Sequence, residues 1–367
     1  MSKRYLPLLL WPVAGLTLLL ARCSPRFAEH VFARGIYRVY RTPISFLTGL
    51  LPCSLGELIV YAAAPAVLIA MICWIIHIFR GKPGQVLLRG AVSALSILGL
   101  VFFMFVFGCG ANYYRDTYAQ STGMVIAPGT DEELQCLCLA LTERANALRG
   151  ELEDCEDADG VFRLPCTVRE LAERARSAMT AFGQSQSLLE GYYAPPKPVL
   201  WSRGLSRLEI TGVYFPFTAE ANVNVEAGDF TIGAAMCHEL SHMAGFMRED
   251  EANYLAWLAC RQSGDPVLDY SGTMLALVYC ANALNDSAPA LYSRVREAYA
   301  DGVRRDFAAD AEWWKQFDNQ PASEFGEKMN DTYLKANAQS EGTKSYGAMV
   351  DLLLAEFRQG ETFDKKK

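Results

Sequence analysis

Residues 58–79 (LIVYAAAPAVLIAMICWIIHIF) run for 22 positions without a charged side chain. At 1.5 Å per residue such a segment makes about 33 Å of helix, enough to cross the ~30 Å hydrocarbon core of a bilayer. Two further apolar stretches, 5–22 and 85–109, have comparable length. The first follows a basic Lys3-Arg4 start. Ala21-Arg22-Cys23 offers no small-x-small cleavage site, so the segment reads as a retained span, with Pro12 as a kink. The tight basic loop Arg80–Gly84 makes the second and third spans an antiparallel hairpin. His77, near the end of its span, is expected at the interface.

Between the first two spans, Arg26, Arg34, Arg38 and Arg41 alternate with Phe27, Val31, Phe32, Ile36, Tyr37 and Tyr40. This mixture predicts an amphipathic helix lying at the lipid surface, with the arginines reaching the headgroups. Positive charge orients the spans weakly. Lys3, Arg4, Arg80, Lys82 and Arg89 oppose an equal set at Arg22, Arg26, Arg34, Arg38 and Arg41. The basic start favours an inside N-terminus, which puts the large C-terminal part outside.

The chain has 51% apolar and 20% charged residues, with a formal net charge of −7. The apolar residues gather before position 110. The negative charge, and the lack of a basic stripe with interleaved aromatics, argue against nucleic acid as a partner. From about Asn112 the composition is globular. The expected organisation is thus a membrane anchor over 1–110 and a folded domain over 111–367. Leu134, Leu137 and Leu141, then Val168, Leu171, Ala172, Ala175 and Met179, recur at helical spacing. Asp131 and Thr167 are expected N-caps, and Thr167–Glu170 fits a capping box. The proline-rich 191–200 is a connector. Residues 212–225 (GVYFPFTAEANVNV) are aromatic and β-branched and read as a strand, which Pro216 confines to a sheet edge. The fold class is membrane-anchored α+β, with transmembrane helices followed by a mainly helical domain that carries a small sheet.

The eleven cysteines include no CxxC pair, which disfavours a zinc ribbon or thioredoxin-type site. Cys155 and Cys166 flank a loop-like stretch and are read equally as a disulfide or as two thiols.

Only four histidines occur, at 30, 77, 238 and 242. The last two belong to His238-Glu239-Leu240-Ser241-His242, an H-E-x-x-H pattern. On a helix the two imidazoles share one face, where they can hold a zinc ion, while Glu239 acts on the zinc-bound water. Three protein ligands and an open fourth position are usual for catalytic zinc. The metzincin pattern would place a third histidine where Arg248 stands, so that class is excluded. Glu249, Asp250 and Glu251 are the acids in reach. On one straight helix Glu249 would lie about 10 Å beyond His242, whereas ligand atoms around one ion lie about 3 Å apart. The helix must therefore break, and Gly245 is the expected place. This predicts helix, tight turn, helix.

Glu249-Asp250-Glu251-Ala252-Asn253 resembles the E-x-x-A-D third-ligand motif of CAAX-type gluzincin peptidases. The resemblance implies Glu249 as the third ligand and Asn253 as a support for a zinc-site histidine. The shorter spacer here keeps Glu251 as an alternative. The whole arrangement resembles an uncharacterised bacterial multi-pass membrane family, domain-of-unknown-function family 3810. The features that carry it are HELSHMAGFMREDEAN, the preceding Gly212–Asn224 stretch, Tyr270-Ser271-Gly272 and the late Asn330–Gly347 stretch. It implies a zincin-like (gluzincin) domain on a multi-pass anchor in the bacterial cell membrane; the extracytoplasmic placement of that domain is the expectation from the basic start alone.

The expected activity is a zinc-dependent metallopeptidase. His238, His242 and Glu249 hold Zn2+, and Glu239 serves as general base and then proton donor to the leaving amine. Arg248, Tyr270 and Tyr346 are candidate oxyanion donors. The edge strand reads equally as a plain edge strand or as one that binds extended substrate, and the substrate class is a peptide or protein, with cell-wall peptide as one option. The alternative is a non-catalytic membrane sensor or scaffold that binds metal or peptide. Glu239 favours catalysis, since a binding module has no need of that acid.

Overall fold

The computed structural model describes residues 3–80, 83–317 and 348–360, with isolated positions (320–322, 324, 328 and 332) between the last two segments. Tyr346, and most of the Asn330–Gly347 stretch, lie outside the described residues. The chain divides into two compact units. One comprises Met1–Arg115 with Phe215–Glu220, the other Asp116–Tyr214 with Ala221–Lys367.

The first unit is helical. A 3-10 turn Lys3–Leu9 leads into α1 (Leu10–Cys23). A π-helical stretch, Phe27–Tyr37, runs directly into α2 (Arg38–Gly49). Two long apolar helices follow, α3 (Leu55–Arg80) and α4 (Pro83–Gly108). Three helical stretches here, Tyr5–Cys23, Leu55–Arg80 and Gly84–Gly108, are long and apolar enough to cross a membrane. Each lies within three residues of a span expected from sequence. Inside the unit, Ala14, Ala21, Ala28, Phe32, Tyr37, Val106 and Ala111 form a tight cluster. The buried Glu29 carboxylate accepts from Arg115 and Arg34. The outside is different. None of the most apolar window of α3 is buried, and Val67, Ile69 and Phe79 are half or more exposed.

Phe215–Glu220 packs within this unit. Glu220 caps α3 by accepting from the backbone N–H groups of Leu55 and Gly56, at 3.0 and 2.8 Å. Such a carboxylate satisfies donors that a helix start leaves free and complements its dipole. Nothing in the sequence pattern pointed to this pairing.

The second unit is a helical bundle with a small sheet. Its helices are α5 (Tyr118–Thr122), α6 (Asp131–Glu151), α7 (Val168–Ser185), α8 (Ser202–Arg207), α9 (Asp229–Met243), α10 (Glu249–Gln262), α11 (Pro266–Ser287), α12 (Pro289–Glu297), α13 (Asp301–Lys315) and α14 (Ala348–Arg358). The capping box of α7 uses Thr167 and Glu170 as expected. At α6 the cap is Thr130, not Asp131, because Thr130 with Glu133 makes the reciprocal pair of bonds. α11 has the length and apolarity of a membrane span, yet 72% of that window is buried. Its apolar character is used in packing against α6, α9 and α10. α14 is tied to α10, whose Tyr254 and Arg261 both donate to Glu356.

The sheet has strand order β1-β3-β2, with β1 Lys197–Pro198, β2 Gly212–Phe215 and β3 Glu220–Val223. β1 runs parallel to β3, with Lys197 opposite Asn222. The single strand read over 212–225 is two strands. Pro216 sits in the turn between them, where its missing N–H costs no ladder bond. β2 keeps the expected edge position. Cys155 and Cys166 are unbridged.

Candidate metal centre

α9 ends just after His242 because the next residues close a Schellman motif. Gly245 N–H donates to His242 O, and Phe246 N–H to Ser241 O, at 2.9 and 3.1 Å. The motif needs a left-handed residue, and Gly245 has φ +98°. Arg248, in extended conformation, is the N-cap of α10, whose first residue is Glu249. The helix, turn, helix geometry matches the one that the spacing requires.

This turn returns the chain onto the HELSH face. Glu249 Oε2 lies 3.2 Å from His238 Nε2, and Glu249 Oε1 lies 3.6 Å from His242 Nε2. Among the described residues, His238, His242 and Glu249 form one group able to hold a metal ion, with one ligand atom from each within 4.8 Å of the others. Their side chains keep 11–15% exposure, so the group is reachable from solvent.

The outer nitrogens decide what faces inward. His242 Nδ1 is 2.7 Å from the Phe246 carbonyl oxygen, which can only accept. Nδ1 therefore carries a proton, and in the neutral ring Nε2 offers a lone pair. His238 Nδ1 is 2.7 Å from Asn253 Oδ1, and Asn253 Nδ2 donates to Tyr279 Oη at 3.1 Å. Two imidazole lone pairs and a carboxylate thus converge, a donor set that suits a cation. Without one, protons take its place. Burial lowers the His242 pKa, but the Glu249 carboxylate outweighs it and carries the pKa to about 9. Burial raises Glu249, and the two imidazoles overcome this and hold its carboxyl well below the usual range.

Glu239 is buried beside this group. Burial pushes its pKa up to about 7, against the pull of both histidines. It accepts from the backbone N–H of Tyr214 in β2. Its Oε2 is buried and has no hydrogen-bond partner among the described residues. β2 approaches so closely that a β-carbon on Gly212 would sit 2.4 Å from Glu239 Oε1.

The other expected residues fall elsewhere. Glu251, the alternative ligand, turns away and accepts from Tyr118 N–H at 2.6 Å, at the start of α5. Asp250 is not in the converging group. The charge of Arg248 acts on Asp250. Tyr270 is a correction: it is fully buried, donates to Asp306 and packs against Phe162 and Phe230, so it belongs to the core. Tyr279 and the β2 backbone escaped the sequence reading. Tyr279 carries no local signal, whereas the Gly212-Val213-Tyr214 element was seen only as a strand.

A largely helical chain with a two-histidine, one-glutamate group on a bent helix pair is the class defined here. The chain belongs to the family described as "Protein of unknown function (DUF3810)", whose model matches residues 32–354. Comparison with curated proteins and with solved structures gives no match.

Proposed function

We propose that this chain is a membrane-anchored zinc metallopeptidase of gluzincin type. The observation that carries the reading is the buried Glu239, whose Oε2 has no hydrogen-bond partner among the described residues, set beside three converging ligands. A buried carboxylate costs stability, and a site that only stored metal would gain nothing from one that is not a ligand. The partial exposure of His238 and Glu249 is compatible with an open coordination position, the mark of catalytic rather than structural zinc.

His238, His242 and Glu249 would hold the ion. When bound, zinc supplies Lewis acidity that polarises the scissile carbonyl and the attacking water. Glu239, buried beside the three ligands, would take the proton from that water and pass it to the leaving amine. The edge of β2 that presents Tyr214 N–H faces Glu239, and an extended peptide adding to this edge would bring its backbone to the base. A protein or cell-wall peptide satisfies that chemistry.

The exposed apolar faces of α3 and α4 support a bilayer as the first partner, since apolar surface of this extent is unfavourable in water. The three spans, with an inside N-terminus, would place the metal centre on the extracytoplasmic side of a bacterial cell membrane. The test is full-length protein in detergent, loaded with zinc, against a mixed peptide library. Wild type should cut, and Glu239→Gln should keep its metal and lose cleavage. Metal retained by both with cleavage by neither would favour a sensor or scaffold.

A further inference from the structure

Asp229 opens α9, the helix that bears His238 and His242. Its carboxylate is held from outside the helix. Leu164 N–H donates to Oδ2 at 2.9 Å, and Arg163 stands 4.0 Å from Oδ1. Both residues belong to the far arm of a tight hairpin. Glu156 bridges Phe162 in antiparallel sense, Arg163 N–H donates to Cys155 O at 2.7 Å, and Gly160, at φ +72°, completes the turn. Phe162 N–H donates to Asp306 of α13 at 2.8 Å, which fixes the same arm a second time.

Two cysteines stand at the open end of this hairpin. Cys155 follows the end of α6, and Cys166 precedes Thr167, the N-cap of α7. Cys155 lies across the ladder from Arg163, and the chain bends at Pro165 and Cys166. Burial raises the pKa of the Cys166 thiol against the pull of Arg174, and Cys155 is among the groups whose charge acts on it. Both cysteines are half-buried, whereas Cys138, Cys237, Cys260 and Cys280 are buried. An oxidant in solution can thus reach the hairpin pair and not those four.

We propose that Cys155 and Cys166 form a reversible disulfide that straps the hairpin shut and so secures the start of α9. The oxidant is a glutathione or protein disulfide. One thiolate of the pair attacks it, which gives a mixed disulfide and one released thiol. The second thiolate then attacks its partner's sulfur, closes the internal bond and releases the other thiol. The two protons and two electrons of the cysteines end on the released thiols. The bond ties the end of α6 to the start of α7 and closes a loop of 12 residues, 155–166, which restricts the unfolded chain. Its presence in the cell rests on the extracytoplasmic placement proposed above, since disulfides persist on the oxidising side of a membrane. The pairing itself does not depend on that placement.

The experiment uses the full-length protein in detergent, equilibrated with oxidised glutathione, denatured, alkylated and mapped by peptide mass. A peptide linking Cys155 to Cys166 is expected. Adding reductant should lower the melting midpoint by about 5 °C, the order expected for a loop of this length in a domain of this size. Cys155→Ser, Cys166→Ser and the double variant should all melt like the reduced wild type and ignore reductant, because each removes the same bond. Absence of the linked peptide, a midpoint indifferent to reductant in the wild type, or losses that add in the double variant would overturn the proposal. Alkylation in intact cells before lysis should find the pair already linked. Free thiols there, with the link formed in vitro, would uphold the pair and contradict the extracytoplasmic placement instead.

Discussion

Glu249 Oε2 stands 3.2 Å from His238 Nε2, although one straight helix would hold these residues more than 16 Å apart along its axis, roughly eleven steps of 1.5 Å. Folding the chain back at Gly245 makes the contact, and it distinguishes Glu249 from the neighbouring acids. Glu249→Ala should lower zinc affinity by more than about 100-fold, since even groups behind a ligand are worth 10–100-fold. Glu251→Ala should keep the metal and lower thermal stability, because Tyr118 N–H loses its acceptor. Chelator competition and melting curves on both variants separate these effects.

Gly245 is where the turn stores its conformational requirement. At φ +98° a β-carbon is strained, at a cost of roughly 1–2 kcal/mol. Gly245→Ala should lose about that much stability in denaturant titration. It should also weaken zinc binding, because the return of α10 onto α9 is disturbed.

The metal-free chain should lose stability as pH rises. Burial lifts Glu239 from 4.5 to about 7. The folded state thus holds a proton that the unfolded chain releases. Its support is full below pH 4.5 and is lost as pH climbs through about 7. At roughly 1.4 kcal/mol per pH unit this amounts to about 3 kcal/mol. For His242, burial lowers the pKa, but Glu249 carries it to about 9, which adds a second loss between 6.5 and 9. Glu249 works in the opposite sense: its support is present above 4.5 and is lost only in strong acid. Melting temperatures of the metal-stripped protein should therefore fall from pH 5 to pH 9. Glu239→Gln should flatten the portion between 4.5 and 7.

Gly212 lies close against Glu239 at the centre. A β-carbon at 212 would lie 2.4 Å from Oε1 and 2.8 Å from Cγ of Glu239, closer than packed atoms allow. Gly212→Ala should therefore displace Glu239 while leaving the three ligands in place. Peptide cleavage should fall at unchanged zinc content, with the loss in kcat rather than KM.

Much of this was legible in residue pattern. The apolar runs mark three helices to within a few residues, because length and lack of charge are local properties. The break at Gly245 followed from ligand distances alone. The pair of strands within 212–225 is not legible, since a turn containing Pro216 looks like an edge strand when only composition is read. Tyr270 looked available for catalysis until Asp306 was found beneath it, a contact 36 residues away that no spacing encodes. The Asn253–Tyr279 hydrogen bond was invisible for the same reason: it depends on how α11 lies against α10.

The most direct test of the central claim is the metal itself. Full-length protein, stripped and then exposed to one equivalent of zinc, should retain one ion per chain by elemental mass spectrometry. Its zinc-edge absorption should show two imidazoles and oxygen ligands, and the ion should be lost in His238→Ala and in Glu249→Ala. A wild-type chain that retains no zinc, or that retains it equally in both variants, would contradict the account.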